Sequence, residues 1–525
     1  MSSFDFIVIG TGSAGAVIAN RLSEPADVTV LVLEAGRLNL PPVLVNNPTI
    51  WPSMLGTEID WDYSTVPQPG LDSRTVKEPH GKMLGGTSSL NGMMYTRGHR
   101  SDFNAWAYNG ALGWAYKDVL PYFQRMENFV DEDDPQLGHD GPLYITSTGK
   151  HEEKLNPIAK DFVAASVNAG YPQSNNFNGS EEDAMFGVSY VQVNIKDGKR
   201  YGTAQAYLLP ALGRPNLTLE TEAQVTKLEF EGTRCVGVTY VQNGVIKTVR
   251  ARKEVILCAS AAESPKLLML SGIGRASHLE QFGIPVRVNL PGVCENFHDH
   301  AYLRVVYNLA AKASDTGQIA TEAALFLRSS PDWITPDLEL IFLPTTFEAS
   351  GNREPDGLTI VASLQRPQSR GNVRLASTDP FAAPLLNPNF LAVESDVERM
   401  IQAVRLSREI FATAPLSRWV KSEITPGANL QSDADLRAAV REHSISQWHM
   451  VGSCKMGLDE MAVVDPQLRV YGVTGLRIAD ASVIPSVISG HTQAAIVMIA
   501  ERASDLIKQA HGLVTTRQNH ELLYA

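Results

Sequence analysis

The chain opens on an apolar run, Phe4-Asp5-Phe6-Ile7-Val8-Ile9, interrupted only by Asp5. A near-continuous run of this kind suits a strand buried on both faces of a parallel sheet. Gly10 to Gly15 follow at once. Residues 16–22 predict a helix that stops before Pro25, and residues 28–33 predict a second strand closed by Glu34-Ala35-Gly36. The unit takes about thirty residues, the size of a βαβ crossover. Further on, short β-like runs recur at 217–220, 225–230, 236–241 and 255–257, and a helix-like block begins at Glu263. Alternating strands at 302–307, 337–343 and 359–364, mixed with loops, predict an antiparallel sheet. Helical spacing returns at 396–412, and residues 494–509 predict a last helix, apolar first and charged later. Residues 37–80 are rich in Pro, Asn and Trp, show no period, and read as long excursions over the surface. There is no internal repeat and no low-complexity tract.

Composition narrows the function classes. The chain has 525 residues, of which 44% are hydrophobic and 19% charged. That is a globular composition, long enough for two domains or for one large fold with a lid. Lys plus Arg is 45 against 57 Asp plus Glu, a net charge of −12. So acidic a chain is ill suited to nucleic acid or an anionic membrane. No apolar run reaches the ~18 residues of a membrane-spanning helix, and the first ten residues lack a cationic leader pattern. Cys235, Cys258, Cys294 and Cys454 lie far apart with no CxxC pair, which suits a reducing cytoplasm rather than a disulfide scaffold or zinc ribbon. The acidic run 131–134 reads as a solvated loop, and no metal site is expected. A cytoplasmic enzyme acting on a small molecule is the expectation.

Three motifs carry chemistry. The first is Gly10-x-Gly12-Ser13-x-Gly15 between a strand and a helix. Its glycines allow a tight turn, close approach of a pyrophosphate, and close helix packing, while the helix N-terminus offers amides and a positive dipole end. Glu34 ends the second strand about twenty residues further on, where an acidic side chain accepts from ribose hydroxyls and repels a 2′-phosphate. The motif alone does not separate NAD from FAD. The second runs from Gly81 to Gly98 and includes Gly85, Gly86, Thr87 and Asn91, paired glycines and small donors suited to a polyoxygenated ligand. The third, Ser260 to Gly274, has helix start and stop signals.

Together these motifs resemble the glucose–methanol–choline oxidoreductases, a family of FAD enzymes. Leu290-Pro291-Gly292-Val293-Cys294-Glu295-Asn296-Phe297-His298-Asp299-His300, Leu476 to Ser482 and His491-Thr492-Gln493-Ala494 resemble further family segments. The resemblance covers the flavin domain nearly throughout and is weakest over 301–440. It implies an α/β fold: a Rossmann-like FAD-binding domain of discontinuous segments and an α+β substrate domain with an antiparallel sheet. The expected boundaries are 1–300 for the main FAD part, 301–440 for the substrate domain, and 441–525 for a segment that returns to the FAD domain with the active-site histidines.

By matching position, the resemblance implies that Gly10, Gly12, Ser13, Gly15 and Glu34 hold the ADP half. Gly85, Gly86, Thr87 and Asn91 run along the pyrophosphate toward the isoalloxazine, Val225 makes a backbone contact to adenine, and Asp480 and Ala481 touch the pyrophosphate and ribityl end. His449 and His491 take the two catalytic positions. Oxidation of an alcohol removes a hydroxyl proton and a hydride from one carbon; the hydride goes to flavin N5, and the protein supplies a base. Neutral imidazole suits that role, with a second donor to hold the oxygen. His449 is assigned the base and His491 the orienting donor, although either order is open. His298 and His300 read as packing or surface residues.

Departures from the family pattern matter too. Leu90 stands where some relatives carry a histidine tether, so FAD is expected to be non-covalent. Cys294 replaces a glycine, Gln493 replaces an asparagine, and Ala495 replaces a proline. The resulting expectation is oxidation of a primary alcohol to an aldehyde, with electrons passing to oxygen or another acceptor. The rivals are a non-redox lyase that keeps FAD and an NAD-dependent dehydrogenase using only the first motif. Choline is not the first choice, because no aromatic cage is legible in the sequence.

Overall fold

The computed structural model describes residues 2–38, 41–150, 154–310, 321–347, 353–354 and 357–513. Its first sheet grows from the opening apolar run. Strand Ser3–Ile9 is buried from Phe6 onward and pairs in parallel with Val30–Leu33. The next parallel partner on that side is Leu217–Glu220, and on the other side lies Val245–Leu257, which pairs in parallel with Leu476–Ile478. The chain therefore winds outward from its first strand in both directions. The first and fourth parallel strands meet at the switch point where such sheets open a ligand crevice beyond their carboxyl ends. Ile9 pairs with Leu257 there, directly below Gly10 and Cys258.

Val245–Leu257 is longer than the predicted strand at 255–257. Its first half forms an antiparallel meander with Arg234–Gln242 and Ala223–Glu231, and its second half lies in the parallel sheet. The strand runs from three exposed residues at 245–247 into alternation at 249–252, whereas 254–257 are buried throughout. One strand thus changes environment midway, and only the fully buried end carries the predicted continuous apolar run.

Helix Gly15–Leu22 covers this sheet, with all but Arg21 buried. Arg21 Nε donates to Glu501 Oε2 at 3.0 Å and so ties it to the C-terminal helix Gln493–Ala510. The helix expected from Glu263 starts earlier, spanning Ser260–Leu270 with Pro265 inside it. Proline lacks the N–H that would reach the Ala261 carbonyl. The Ser453 hydroxyl donates to that carbonyl instead, at 2.7 Å, which clamps the His449 segment onto the flavin-domain helix.

The second sheet is wholly antiparallel, in the spatial order Val420–Thr425, Ala301–Leu309, Gly357–Leu364, Leu338–Leu343, Ala323–Leu327, Gly187–Tyr190. Period-two alternation sorts its side chains. Leu303, Val305, Leu340, Phe342, Ile360 and Ala362 pack toward Val397, Met400 and Val404 of helix Glu394–Ala412. Tyr302, Ile341, Leu343 and Val361 face the other way, toward Trp51, Met93, Met94 and Trp448. Both faces are covered, so the central strands Leu338–Leu343 and Gly357–Leu364 are buried along their whole length.

This sheet draws on residues outside the expected 301–440 span. Gly187–Tyr190 forms its edge, and Phe162 of helix Pro157–Asn168 stacks on Phe342 at 4.8 Å between ring centroids. Ile445–Ser446 pairs with Ala301 and Tyr302. Residues 311–320, between two of the strands, lie outside the described residues. The reading of 37–80 as a surface excursion is corrected. Trp51, Met54, Ile59, Tyr63 and Leu71 are buried, and their lack of period reflects short 3-10 turns and two-residue strands.

Candidate active site

A cavity of about 270 Å3 runs between the two sheets, from the Gly10 turn and Glu34 past Asn91 to His449 and His491. The glycine loops form its floor. Gly10 has φ +93°, and an added Cβ would lie 2.5 Å from the Cys258 carbonyl oxygen. Gly12 behaves differently: a Cβ there would meet nothing within 4 Å. The space over Gly12 is thus open for a ligand to approach the backbone. Gly86 closes against Gly12, where an added Cβ would lie 2.9 Å from the Gly12 Cα, and the Gly85 amide donates to the Thr11 carbonyl at 3.1 Å. Two glycine loops distant in sequence therefore form one cradle.

Gly10, Gly12, Ser13, Glu34, Gly86, Thr87, Asn91, Val225, Asp480 and Ala481 all line the cavity, as do both histidines. Gly15 and Gly85 stand behind its wall. Gly15 lets the helix press against the Gly10 carbonyl, 2.0 Å from where a Cβ would sit, and Gly85 is a turn residue with φ +81°.

The two acidic residues are held by protein donors. Glu34 Oε2 accepts from the Thr11 amide at 2.8 Å and hydroxyl at 2.6 Å, and Oε1 accepts from the Gly36 amide at 2.7 Å. Burial pushes its carboxyl above the usual range. Asp480 accepts from the Ser260 and Ser482 amides and from the hydroxyls of Ser264 and Ser482; burial raises its carboxyl too. These carboxylates fix the loops, and carboxylate oxygens retain lone pairs for further donors. The open backbone over Gly12, the helix end at Gly15 and this donor set fit a dinucleotide lying along the cavity.

His449 and His491 meet edge to face at the far end, with centroids 5.1 Å apart. The turn that delivers His449 is strained at Trp448, with φ +65°. It is pinned by the Ser446 hydroxyl, which accepts from the Trp448 amide at 2.8 Å, and by Asp299, which accepts from the His449 amide at 2.7 Å. His491 comes from the segment just before the last helix, where its amide donates to the Thr96 hydroxyl at 2.8 Å. Behind it, Nε2 lies 3.1 Å from Glu339 Oε1. Burial, then His491 and His300, push the His449 ring well below the ordinary histidine value.

Several residues at this end were not singled out from sequence. Glu339 is a fully buried carboxylate in the apolar strand Leu338–Leu343, where its isolation was the available signal. His300 is buried rather than at the surface, and its Nδ1 lies 2.9 Å from His449 Nδ1. Burial, followed by His491, pushes His300 down to about 3. His298 is a packing residue: its Nε2 accepts from the Val487 amide at 2.9 Å, so its Nδ1 donates to the Asn296 carbonyl at 2.6 Å. The cavity wall beside the histidines is apolar and aromatic. Trp51 and Trp448 meet edge to face at 5.9 Å, with Tyr302, Met93, Ile341 and Val361 around them.

Cys454 and the other cysteines are free and buried. Among the described residues there is no grouping that could hold a metal ion and no helix long and apolar enough to cross a membrane. In the 131–134 run, Asp131 accepts from the Ser147 amide and Asp134 from the Ser180 amide, which are loop-capping roles.

The comparisons with known proteins agree with this geometry. The N-terminal model of the GMC oxidoreductases matches residues 4–302, and the C-terminal model matches residues 367–500. An oxygen-dependent choline dehydrogenase from Brucella ovis is 40% identical over 530 aligned positions, covering 96% of this chain and 95% of the relative. The mitochondrial choline dehydrogenase of Mus musculus is 39% identical, covering 96% of this chain and 89% of the relative. Among solved structures, pyridoxine 4-oxidase from Mesorbium loti superposes with a TM-score of 0.91 at 32% identity, covering 97% of this chain and 99% of that one. A formate oxidase variant from Aspergillus oryzae gives 0.90 at 29%, with the same coverage. The match along both catalytic and cofactor-binding parts removes the reading as an NAD enzyme that uses the first motif alone. From these matches and the cradle described above, the chain belongs to the GMC oxidoreductases, FAD-dependent enzymes that act on CH–OH donors.

Proposed function

We propose that the protein oxidises a primary alcohol to an aldehyde, with His449 as base and His491 as the donor that holds the alcohol oxygen. One observation carries this reading: two imidazoles meet at the cavity wall, and only one of them has a carboxylate behind it. A protonated His491 has Glu339 as an ion-pair partner 3.1 Å away. His449 faces the rings of His300 and His491, and the low proton affinity of its ring keeps it neutral at pH 7. A neutral imidazole accepts the hydroxyl proton, and a cationic one steadies the oxygen as negative charge develops.

When bound, FAD supplies the hydride acceptor at N5. Gly10, Gly12, Ser13, Glu34 and Val225 would hold its ADP half, Gly86, Thr87, Asp480 and Ala481 its middle, and Asn91 its ring end. Leu90 offers no nucleophilic atom, so the cofactor is bound without a covalent tether. Electrons leave to oxygen or another acceptor. The free, buried cysteines suit a cytoplasmic setting.

The test is anaerobic mixing of the purified yellow protein with a panel of primary alcohols, watching the flavin absorbance before air is admitted. Bleaching by one class supports the reading. Bleaching by none, from a panel that spans aliphatic, aromatic, heteroaromatic and cationic alcohols, favours the lyase. Fast recolouring in air, with peroxide, marks an oxidase; slow recolouring marks a dehydrogenase. A second reading of the substrate, choline, is favoured by the Trp51–Trp448 pair, since tryptophan faces attract quaternary ammonium groups. The choline dehydrogenases among the relatives add support. Choline is therefore one arm of the panel.

A further inference from the structure

Arg200 is a buried cation without an acidic partner. It is 1% exposed and makes no ion pair among the described residues. Its Nε donates to the Val45 carbonyl at 3.1 Å, and its Nη1 donates to the carbonyl and the side-chain oxygen of Asn91 at 2.6 and 2.8 Å. Its Nη2 has no hydrogen-bond partner among the described residues. Burial lowers the guanidinium to about 9, so it remains charged at neutral pH. A buried charge left without a counter-ion is costly, and such a cost in a folded site calls for a functional account.

The bonds from Arg200 lead to the cavity. A guanidinium has only donors, so Asn91 must turn its Oδ1 toward Arg200, where it also accepts from the Met93 amide at 3.1 Å. Its Nδ2 is then left to face Gln493, and donates to Gln493 Oε1. Gln493 in turn can present only Nε2 elsewhere. That atom is buried and has no partner among the described residues, on a residue that borders the cavity two positions from His491. Flipping either amide would set N–H against N–H. One cation therefore dictates the orientation of two amides in series, and neighbouring bonds in such a chain polarise one another.

We propose that Arg200 is a positioning residue: through Asn91 it holds the Gln493 amide with its N–H group as the free donor to the ring of the bound FAD, favouring the reduced, anionic form. This rests on the ring lying at the histidine end of the cavity. Two-electron reduction places negative charge on the ring, and a hydrogen bond to a charged acceptor is stronger than one to a neutral acceptor. The buried positive charge then finds its counter-charge in the reduced enzyme.

The test is the reduction potential of the holoenzyme, measured anaerobically against a reference dye with no alcohol present. Gln493→Leu removes the donor, and Arg200→Met removes the charge that aims it. Each is expected to shift the oxidised-to-reduced equilibrium at least tenfold toward oxidised, a drop of about 30 mV for a two-electron couple. Because both act on one donor, the double variant is expected to drop no further than either single variant. Arg200→Lys, which keeps a cation, is expected to restore most of the shift. Asn91→Asp covers the case in which Arg200→Met does not fold: it pairs the buried cation but cannot donate to Gln493, which is then free to turn its oxygen outward, and the potential is expected to fall.

Unchanged potentials in Gln493→Leu and Asn91→Asp with FAD still bound would overturn the proposal. Additive shifts in the double variant would overturn it as well, because they would mean that Arg200 acts by its field alone. An enzyme that bleaches with no alcohol but shows the non-additive shift would sink the alcohol-oxidation reading and leave this one standing.

Discussion

The Nδ1 atoms of His300 and His449 lie 2.9 Å apart. One of the two must donate and the other accept, so they cannot both be imidazolium at that distance. His300 thereby sets the tautomer of the proposed base, much as an orienting partner does for other histidines in proton transfer. We predict that His449→Ala lowers kcat/KM by about 10²–10⁴, the usual range for a general base. His300→Ala is expected to cost about tenfold in kcat with KM little changed. Steady-state kinetics on both variants check this, and equal losses in kcat and KM for His300→Ala would contradict it.

Low proton affinity at His449 fixes the shape of the pH profile. Burial and the neighbouring imidazoles push the ring well below 6.5, so the neutral, base-competent form persists as pH falls past that value. The acid limb of kcat/KM assigned to His449 is expected well below the ordinary histidine value of 6.5. A limb centred at 6.5, abolished in His449→Ala, would show a histidine with ordinary proton affinity.

Glu339 separates the roles of the two active-site histidines. Glu339→Gln keeps the shape but withdraws the ion-pair partner from His491. The expected loss in kcat/KM is about 10- to 100-fold, comparable to losing an outer partner of a functional histidine. It should fall mainly on kcat, since the donor acts most on developing charge. A change confined to KM would make Glu339 a substrate-binding group instead.

Beneath His449, Glu78 and Asp299 both reach the Ser446 hydroxyl. One hydroxyl proton cannot satisfy both carboxylates, so the pair favours taking up a second proton. Burial is the first cause of the raised proton affinity of both, and it pushes Asp299 up to about 7. A carboxyl raised in the folded state contributes stability below its unfolded value, and that contribution fades as pH rises through the folded value. Glu78→Gln removes one charge of the pair. Its melting temperature relative to the unaltered protein is expected to rise between pH 5 and pH 8. A difference independent of pH would mean that the pair takes up no second proton.

Two of the three glycines of the first loop, Gly12 and Gly15, predict opposite phenotypes. Gly12→Ala adds a methyl group to open space. The apoprotein is expected to keep its melting temperature while FAD affinity falls at least tenfold. Gly15→Ala drives a methyl group to 2.0 Å from the Gly10 carbonyl oxygen and is expected to destabilise the apoprotein itself. Thermal melts with and without FAD distinguish them.

Acid precipitation tests the tether. With Leu90 at the tether position, the flavin is expected in the supernatant; a yellow pellet would show covalent attachment.

Much of this site was legible because its chemistry needs glycines, and glycines in strand-to-helix turns leave a sequence pattern. Gly10, Gly12 and Gly15 were readable from spacing alone, and the histidines from their matching segments. Glu339 was not, because a lone carboxylate in Leu338–Leu343 has meaning only once His491, far along the chain, folds against it. His300 was read as packing or surface for the same reason: two neighbouring histidines on a strand do not say which of them meets His449. The fold shows the same divide. Apolar runs marked the parallel strands, but the meander half of Val245–Leu257 is mostly exposed and blurred where that strand begins. Trp51 and its neighbours had no period because packing against the sheet, not helical or strand repetition, buries them.

The shared strand also bears on how the chain is made. Val255 to Leu257 lie between the first strand and Leu476–Ile478, so the crevice wall acquires its last strand only from the far end of the chain. During synthesis from the N-terminus, the edge of that strand stays bare until nearly the whole protein has left the ribosome. A nascent chain stalled before residue 476 is therefore expected to display an apolar, unpaired edge at Val255 to Leu257.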